Sequence, residues 1–103
     1  YDDCACLGPC LYVPETPLSS ETGVKLEIRR EEEVVFGGET SLEQMKRTPE
    51  ELVEYLFRET SFPNGVFLMT GTGIVPGQDF TLQSGDEVSI TIDGIGTLTN
   101  LVA

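Results

Sequence analysis

Residues 88–100 read VSITIDGIGTLTN. Val88, Ile90 and Ile92 alternate with Ser89 and Thr91, the period-two pattern of a strand with one buried face. Asp93-Gly94 follows as a tight-turn pair, and residues 95–102 read as the returning strand, interrupted by Gly96 and softened by Asn100. Such a hairpin makes sheet the frame of the chain.

Upstream, VKLEIRR (24–30) repeats the alternation, with Val24, Leu26 and Ile28 on one face and Lys25, Glu27 and Arg29 on the other. EEEVVFGG (31–38) supplies a partner strand centred on 34–36. The turn between them, at 30–32, lacks the Asn-Gly or Asp-Gly pair that best favours a two-residue hairpin. Apolar runs at 11–13 and 66–69 are further candidates, for about five or six strands in all.

One helix is expected over about 48–60. Thr48 suits the N-cap, Pro49 the first helical position, and Glu51 completes a capping box. Leu52 and Leu56 stand four apart, with Val53, Tyr55 and Phe57 widening the apolar surface. Glu50, Glu51 and Glu54 early and Arg58 late match the helix dipole. Leu42 and Met45 suggest a short helical turn before it. The fold class is thus mainly β with one main α-helix, in a single unit over 1–103. Several apolar strand faces and one helix must share a small core, the pattern of part of a larger sheet assembly.

The chain has 103 residues, six basic and eighteen acidic, for a net charge of −12. Binding to nucleic acid or to anionic lipid draws on Lys and Arg, so both are excluded as leading functions. No apolar run is long enough to span a membrane, and YDDCACLGPC (1–10) lacks the basic and apolar regions of a secretory leader. A start at Tyr1 without methionine is what a processed or shortened chain would show. Cys4, Cys6 and Cys10 form neither a disulfide framework nor a zinc set, there being no histidine. They are expected to be small, reduced, partly buried side chains in a cytoplasmic protein.

LMTGTGIVP (68–76) is the stretch most open to a chemical reading. It lacks the Gly-Lys-Ser/Thr of a phosphate loop and the third glycine of a dinucleotide fingerprint. Its plain reading is a strand followed by a Gly-rich turn. As a site, Gly71 and Gly73 would let a ligand approach backbone N–H groups, and Thr70 and Thr72 would offer uncharged hydroxyls. Asp2 and Asp3 are adjacent carboxylates that hold a divalent cation only if folding adds oxygen ligands. Residues 31–33, three glutamates, read as a solvated turn, and Glu39 lies where an apolar strand ends. Without histidine there is no Ser-His or Cys-His pair, and Lys25 and Lys46 sit in undistinguished settings.

Three blocks together resemble the C-terminal part of the fumarylacetoacetate hydrolase superfamily. They are YDDCACLGP (1–9), FGGETSLEQMKRTPEELVEYL (36–56), and the stretch from MTGTG (69–73) through LQSGDEVSITIDGIGTLTN (82–100). Their order and spacing carry the resemblance, and ETS and TGTGIVP look nearer the 2-keto-3-deoxy sugar-acid dehydratase branch than the acylpyruvate hydrolases. The resemblance implies a mixed β-roll or sandwich, a homodimer, and a divalent metal, Mg²⁺ or Mn²⁺. It implies hydrolysis of a C–C bond or dehydration of 2-keto or diketo acids through a metal-stabilised enolate. Thr72 and Gly71 would line the substrate wall, and Asp2 and Asp3 would lie near the metal. Two departures follow. The family's metal carboxylates and its active-site lysine would fall before Tyr1, and its usual proline after Thr-Gly-Thr is Gly73 here. The expectation is a portion of a catalytic domain that needs a missing N-terminal portion and is inactive alone. The alternative is a small acidic β-module that binds a protein partner.

Overall fold

The computed structural model describes residues 4–103. Four strands form one open antiparallel sheet: β1 (Gly23–Arg30), β2 (Glu33–Ser41), β3 (Glu87–Ile92) and β4 (Gly96–Leu101), in the order β2-β1-β3-β4. A short 3₁₀ turn (Leu42–Gln44) and helix α1 (Pro49–Phe57) follow β2. The fold class is mainly β with one main helix, and the open sheet is consistent with a roll or sandwich.

Register explains the two faces. Val24, Leu26 and Ile28 stand opposite Ile92, Ile90 and Val88, and across the other edge opposite Thr40, Gly38 and Phe36. Those side chains share the apolar face. The other face carries Lys25, Glu27 and Arg29 beside Thr91, Ser89 and Glu87. There the Ser89 and Thr99 hydroxyls meet at 2.8 Å and those of Thr91 and Thr97 at 2.7 Å. Lys25 and Arg29 approach the Glu27 carboxylate at 2.7 and 3.1 Å. Those bonds, from Lys25 first and then Arg29, hold the Glu27 carboxyl below its usual range. The row is exposed and contributes little to stability.

The β1–β2 turn is tight despite its sequence. Glu31 and Glu32 both adopt positive φ (49° and 68°), the backbone of a type I′ turn normally filled by Asn-Gly. A bulge then lets Ile28 face Phe36 while Arg29 faces Val34. The strand runs far past the expected centre at 34–36, to Ser41. The candidates at 11–13 and 66–69 are not strands: neither pairs with the outer edge of β2 or of β4. The helix ends at Phe57 rather than near 60.

Thr48 caps α1 as its position predicts: the Glu51 N–H donates to Thr48 Oγ1 at 3.2 Å, and Pro49 opens the helix. The Glu51 carboxylate lies 3.9 Å from Arg47. Thr48→Ala is expected to lower stability by about 0.5–2 kcal/mol in denaturant melts.

The core is thin. Among the described residues only Ile28 and Ile74 are buried apolar side chains, while Leu7, Phe67, Met69 and Tyr55 are among many large ones left exposed. Cys4, Cys6 and Cys10 are free and exposed, not partly buried as expected. Their segment has no ladder, and Gly8-Pro9 makes its sheet contact instead, with Leu98 and Gly96 of β4. Among the described residues, no helix is long and apolar enough to cross a membrane.

Candidate active-site cleft

The Gly/Thr stretch lies over the apolar face at the β2 edge. Ile74 is seated on Gly38, so that a Cβ at Gly38 would come within 2.6 Å of Ile74 Cγ2. Gly73 also comes close to β2, where a Cβ would meet Thr40 Oγ1 at 3.3 Å. Further along, Phe80 packs on Phe36 with ring centroids 5.6 Å apart, and the Arg30 guanidinium lies 6.0 Å from the Phe80 centroid. Loop 70–80 is thereby pinned to the sheet at both ends.

Between this loop and the start of α1 lies a cleft of about 500 Å³. Its floor is Val24, Ile90 and Ile92, and one wall is Thr70, Gly71, Thr72 and Gly73. The opposite side is made by Met45, Lys46, Arg47 and Leu52. An apolar floor with a few polar groups at its rim is the usual make-up of a small-molecule site.

The wall residues are built for backbone presentation. Gly71 has φ +88°, a backbone that favours glycine, and nothing lies within 4 Å of where a Cβ would stand, so the space beside its Cα is open. The Thr72 hydroxyl folds into a local turn: Oγ1 accepts from the Ile74 N–H at 3.0 Å, and its O–H points to the Ile74 carbonyl at 3.4 Å. The first bond is good and the second is long. A ligand oxygen would take the Thr72 proton simply by drawing it off that carbonyl.

The other sequence candidates fall elsewhere. Asp2 and Asp3 lie outside the described residues. Glu39 stands opposite Lys25 on the polar face, away from the cleft. Lys46, undistinguished in sequence, does line the cleft, and only the bend between the 3₁₀ turn and α1 brings it there. Among the described residues no three Cys, Asp, Glu or His side chains converge to hold a metal ion.

The strongest ionic contact braces the fold behind the loop. Asp86 is fully buried and accepts two bonds from Arg30, Nε and Nη2, both at 2.8 Å. It also accepts the Gln83 N–H at 2.8 Å, while Arg30 Nη2 donates to the Thr81 carbonyl at 3.1 Å. These bonds, Arg30's first, hold the Asp86 carboxyl down to about 2.

Fold and cleft together describe a mainly β chain, consistent with a roll or sandwich, with a candidate small-molecule cleft on one sheet face. Residues 1–103 match the fumarylacetoacetate (FAA) hydrolase C-terminal family, and the chain belongs to it. It is 43% identical over 103 residues to a probable 2-keto-3-deoxyxylonate dehydratase of Haloferax volcanii, matching 99% of this chain and 36% of that protein. It is 41% identical over 101 residues to the 2-dehydro-3-deoxy-D-arabinonate dehydratase of Saccharolobus solfataricus, matching 95% of this chain and 33% of that one. Among solved structures it is similar to a 2-keto-3-deoxy-D-arabinonate dehydratase complexed with magnesium and 2,5-dioxopentanoate. That likeness has a TM-score of 0.79 and 42% identity, over 86% of this chain and 31% of the other. The chain thus resembles the 2-keto-3-deoxy sugar-acid dehydratase branch, and it spans about a third of the length of these relatives.

Proposed function

We propose that the full-length protein is a dehydratase of a 2-keto-3-deoxy sugar acid, dependent on Mg²⁺ or Mn²⁺ held by residues outside this chain. Identity of 43% across 103 residues to a probable dehydratase of that class carries the reading and favours dehydration over C–C hydrolysis. The bound cation supplies Lewis-acid chemistry at the keto acid. A 2-keto-3-deoxypentonate that loses one water becomes 2,5-dioxopentanoate, the compound bound in the similar structure.

In this reading the cleft's own residues bind and orient. Gly71 shapes the wall and the Thr72 hydroxyl faces the substrate's carboxylate or oxo end, and Val24, Ile90 and Ile92 keep water from beneath it. The protein works as a cytoplasmic homodimer, and this chain by itself turns nothing over. The thin core favours this over an independent acidic β-module binding a protein partner, since such a module must bury its own apolar faces.

The test is turnover of 2-keto-3-deoxy sugar acids by the full-length protein with Mg²⁺, followed by release of the dioxo acid. Inactivity on every keto acid tried would defeat the reading. Thr72→Val removes the hydroxyl and the bond to Ile74 N–H, and should cut kcat/KM by about tenfold or more, with Thr72→Ser largely restoring it.

A further inference from the structure

The distribution of positive charge adds one assignment to the cleft. The chain carries six Lys and Arg side chains against eighteen carboxylates. Five of the six are engaged: Lys25 and Arg29 with Glu27, Arg30 with Asp86, Arg47 with Glu51, and Arg58 with Glu54. Among the described residues, Lys46 makes no ion pair, and it lines the cleft with Gly71 and Thr72.

We propose that Lys46 is the anion-recognising residue of this cleft, binding the carboxylate of a small keto acid across from loop 70–73. These 103 residues carry a net charge of −12, so a local centre of positive potential on the cleft rim favours entry of an anionic ligand. An ammonium already held by a carboxylate is poorly available for that task, and Lys46 is the one left over. Its backbone is also held. The Met45 N–H donates to the Leu42 carbonyl at 3.0 Å, and Thr48 caps the helix two residues on. The ammonium therefore swings from a fixed point on the cleft rim. Lys46 is exposed on the cleft rim, so its attraction for a carboxylate is open to screening by salt. Arg47, beside it, also lines the cleft, but Glu51 at 3.9 Å partly offsets its charge.

The assignment rests on the keto-acid reading above, and two measurements on the full-length protein separate them. In the first, Lys46→Met raises KM for the sugar acid about tenfold, leaves kcat within about twofold, and Lys46→Arg returns KM to within about threefold of wild type. Raising the salt from about 50 to about 500 mM should narrow the gap between wild type and Lys46→Met. The second measures binding of pyruvate, and of neutral pyruvamide, by calorimetry with Mg²⁺ present. Pyruvate binding should weaken about tenfold in Lys46→Met, while that of pyruvamide stays unchanged. Normal turnover with an unchanged KM in Lys46→Met would overturn the assignment alone. Lys46-dependent pyruvate binding without sugar-acid turnover would uphold it and defeat the dehydratase reading. Equal weakening for pyruvate and pyruvamide would reduce Lys46 to a structural role and overturn the assignment.

Discussion

Asp86→Asn in the full-length protein is expected to lower the melting temperature by several degrees, well beyond Glu27→Gln on the exposed charged row. The carboxylate is fully buried and takes three bonds, two from Arg30 and one from the Gln83 N–H. Asparagine keeps the shape but leaves the guanidinium without its counter-charge. The pH dependence gives an independent check. Arg30 above all, then the Gln83 N–H, hold the carboxyl at about 2, below its ordinary value of 3.8. A depressed carboxyl contributes its full stability above the ordinary value and loses it as pH falls toward the depressed one. Wild type should therefore lose stability faster than Asp86→Asn as pH falls from about 4 to about 2. Parallel curves for the two proteins would show that the pair does not hold the fold.

Gly38→Ala should damage stability and activity together. The added methyl would stand 2.6 Å from Ile74 Cγ2, and Ile74 is one of two buried apolar side chains among the described residues. Overpacking of this kind costs about 1–3 kcal/mol. Relief requires Ile74 to lift, and with it loop 70–73, whose Thr72 hydroxyl is bonded to the Ile74 N–H. Displacing a substrate wall by about 1 Å can cost about 100-fold, so kcat/KM should fall about 10- to 100-fold. Gly77→Ala is the matched control, since nothing lies within 4 Å of its would-be Cβ. A Gly38→Ala protein as active as the Gly77→Ala protein would show that the seat of Ile74 does not position the loop.

Much of the frame was legible because it is local. The alternation at 24–30 and 88–92, the Asp93-Gly94 turn and the Thr48-Pro49 cap each depend on neighbours in sequence, and each is found where the pattern puts it. The Glu31-Glu32 turn was hard to read because strand pairing imposes a positive φ on residues that do not favour it. The runs at 11–13 and 66–69 have strand composition but pair with neither outer edge of the sheet, and pairing is a property of the whole sheet. The same limit applies at the site. The Gly/Thr loop was visible as a candidate, whereas Lys46 gained meaning only when a bend set it across from that loop. The exposure of the cysteines depends on where Gly8-Pro9 meets β4, a contact distant in sequence.

The strand order has a kinetic consequence. β1–β2 and β3–β4 are hairpins closed by short turns, and such contacts form early. The cleft floor needs Val24 beside Ile92, a pairing between strands far apart in sequence that pays a long loop closure before any reward. A chain caught with both hairpins made but β1 and β3 apart would hold most of its secondary structure and no floor. Recovery of substrate binding during refolding should therefore trail recovery of β-sheet signal. On this order the cleft floor would be completed by the pairing of β1 with β3.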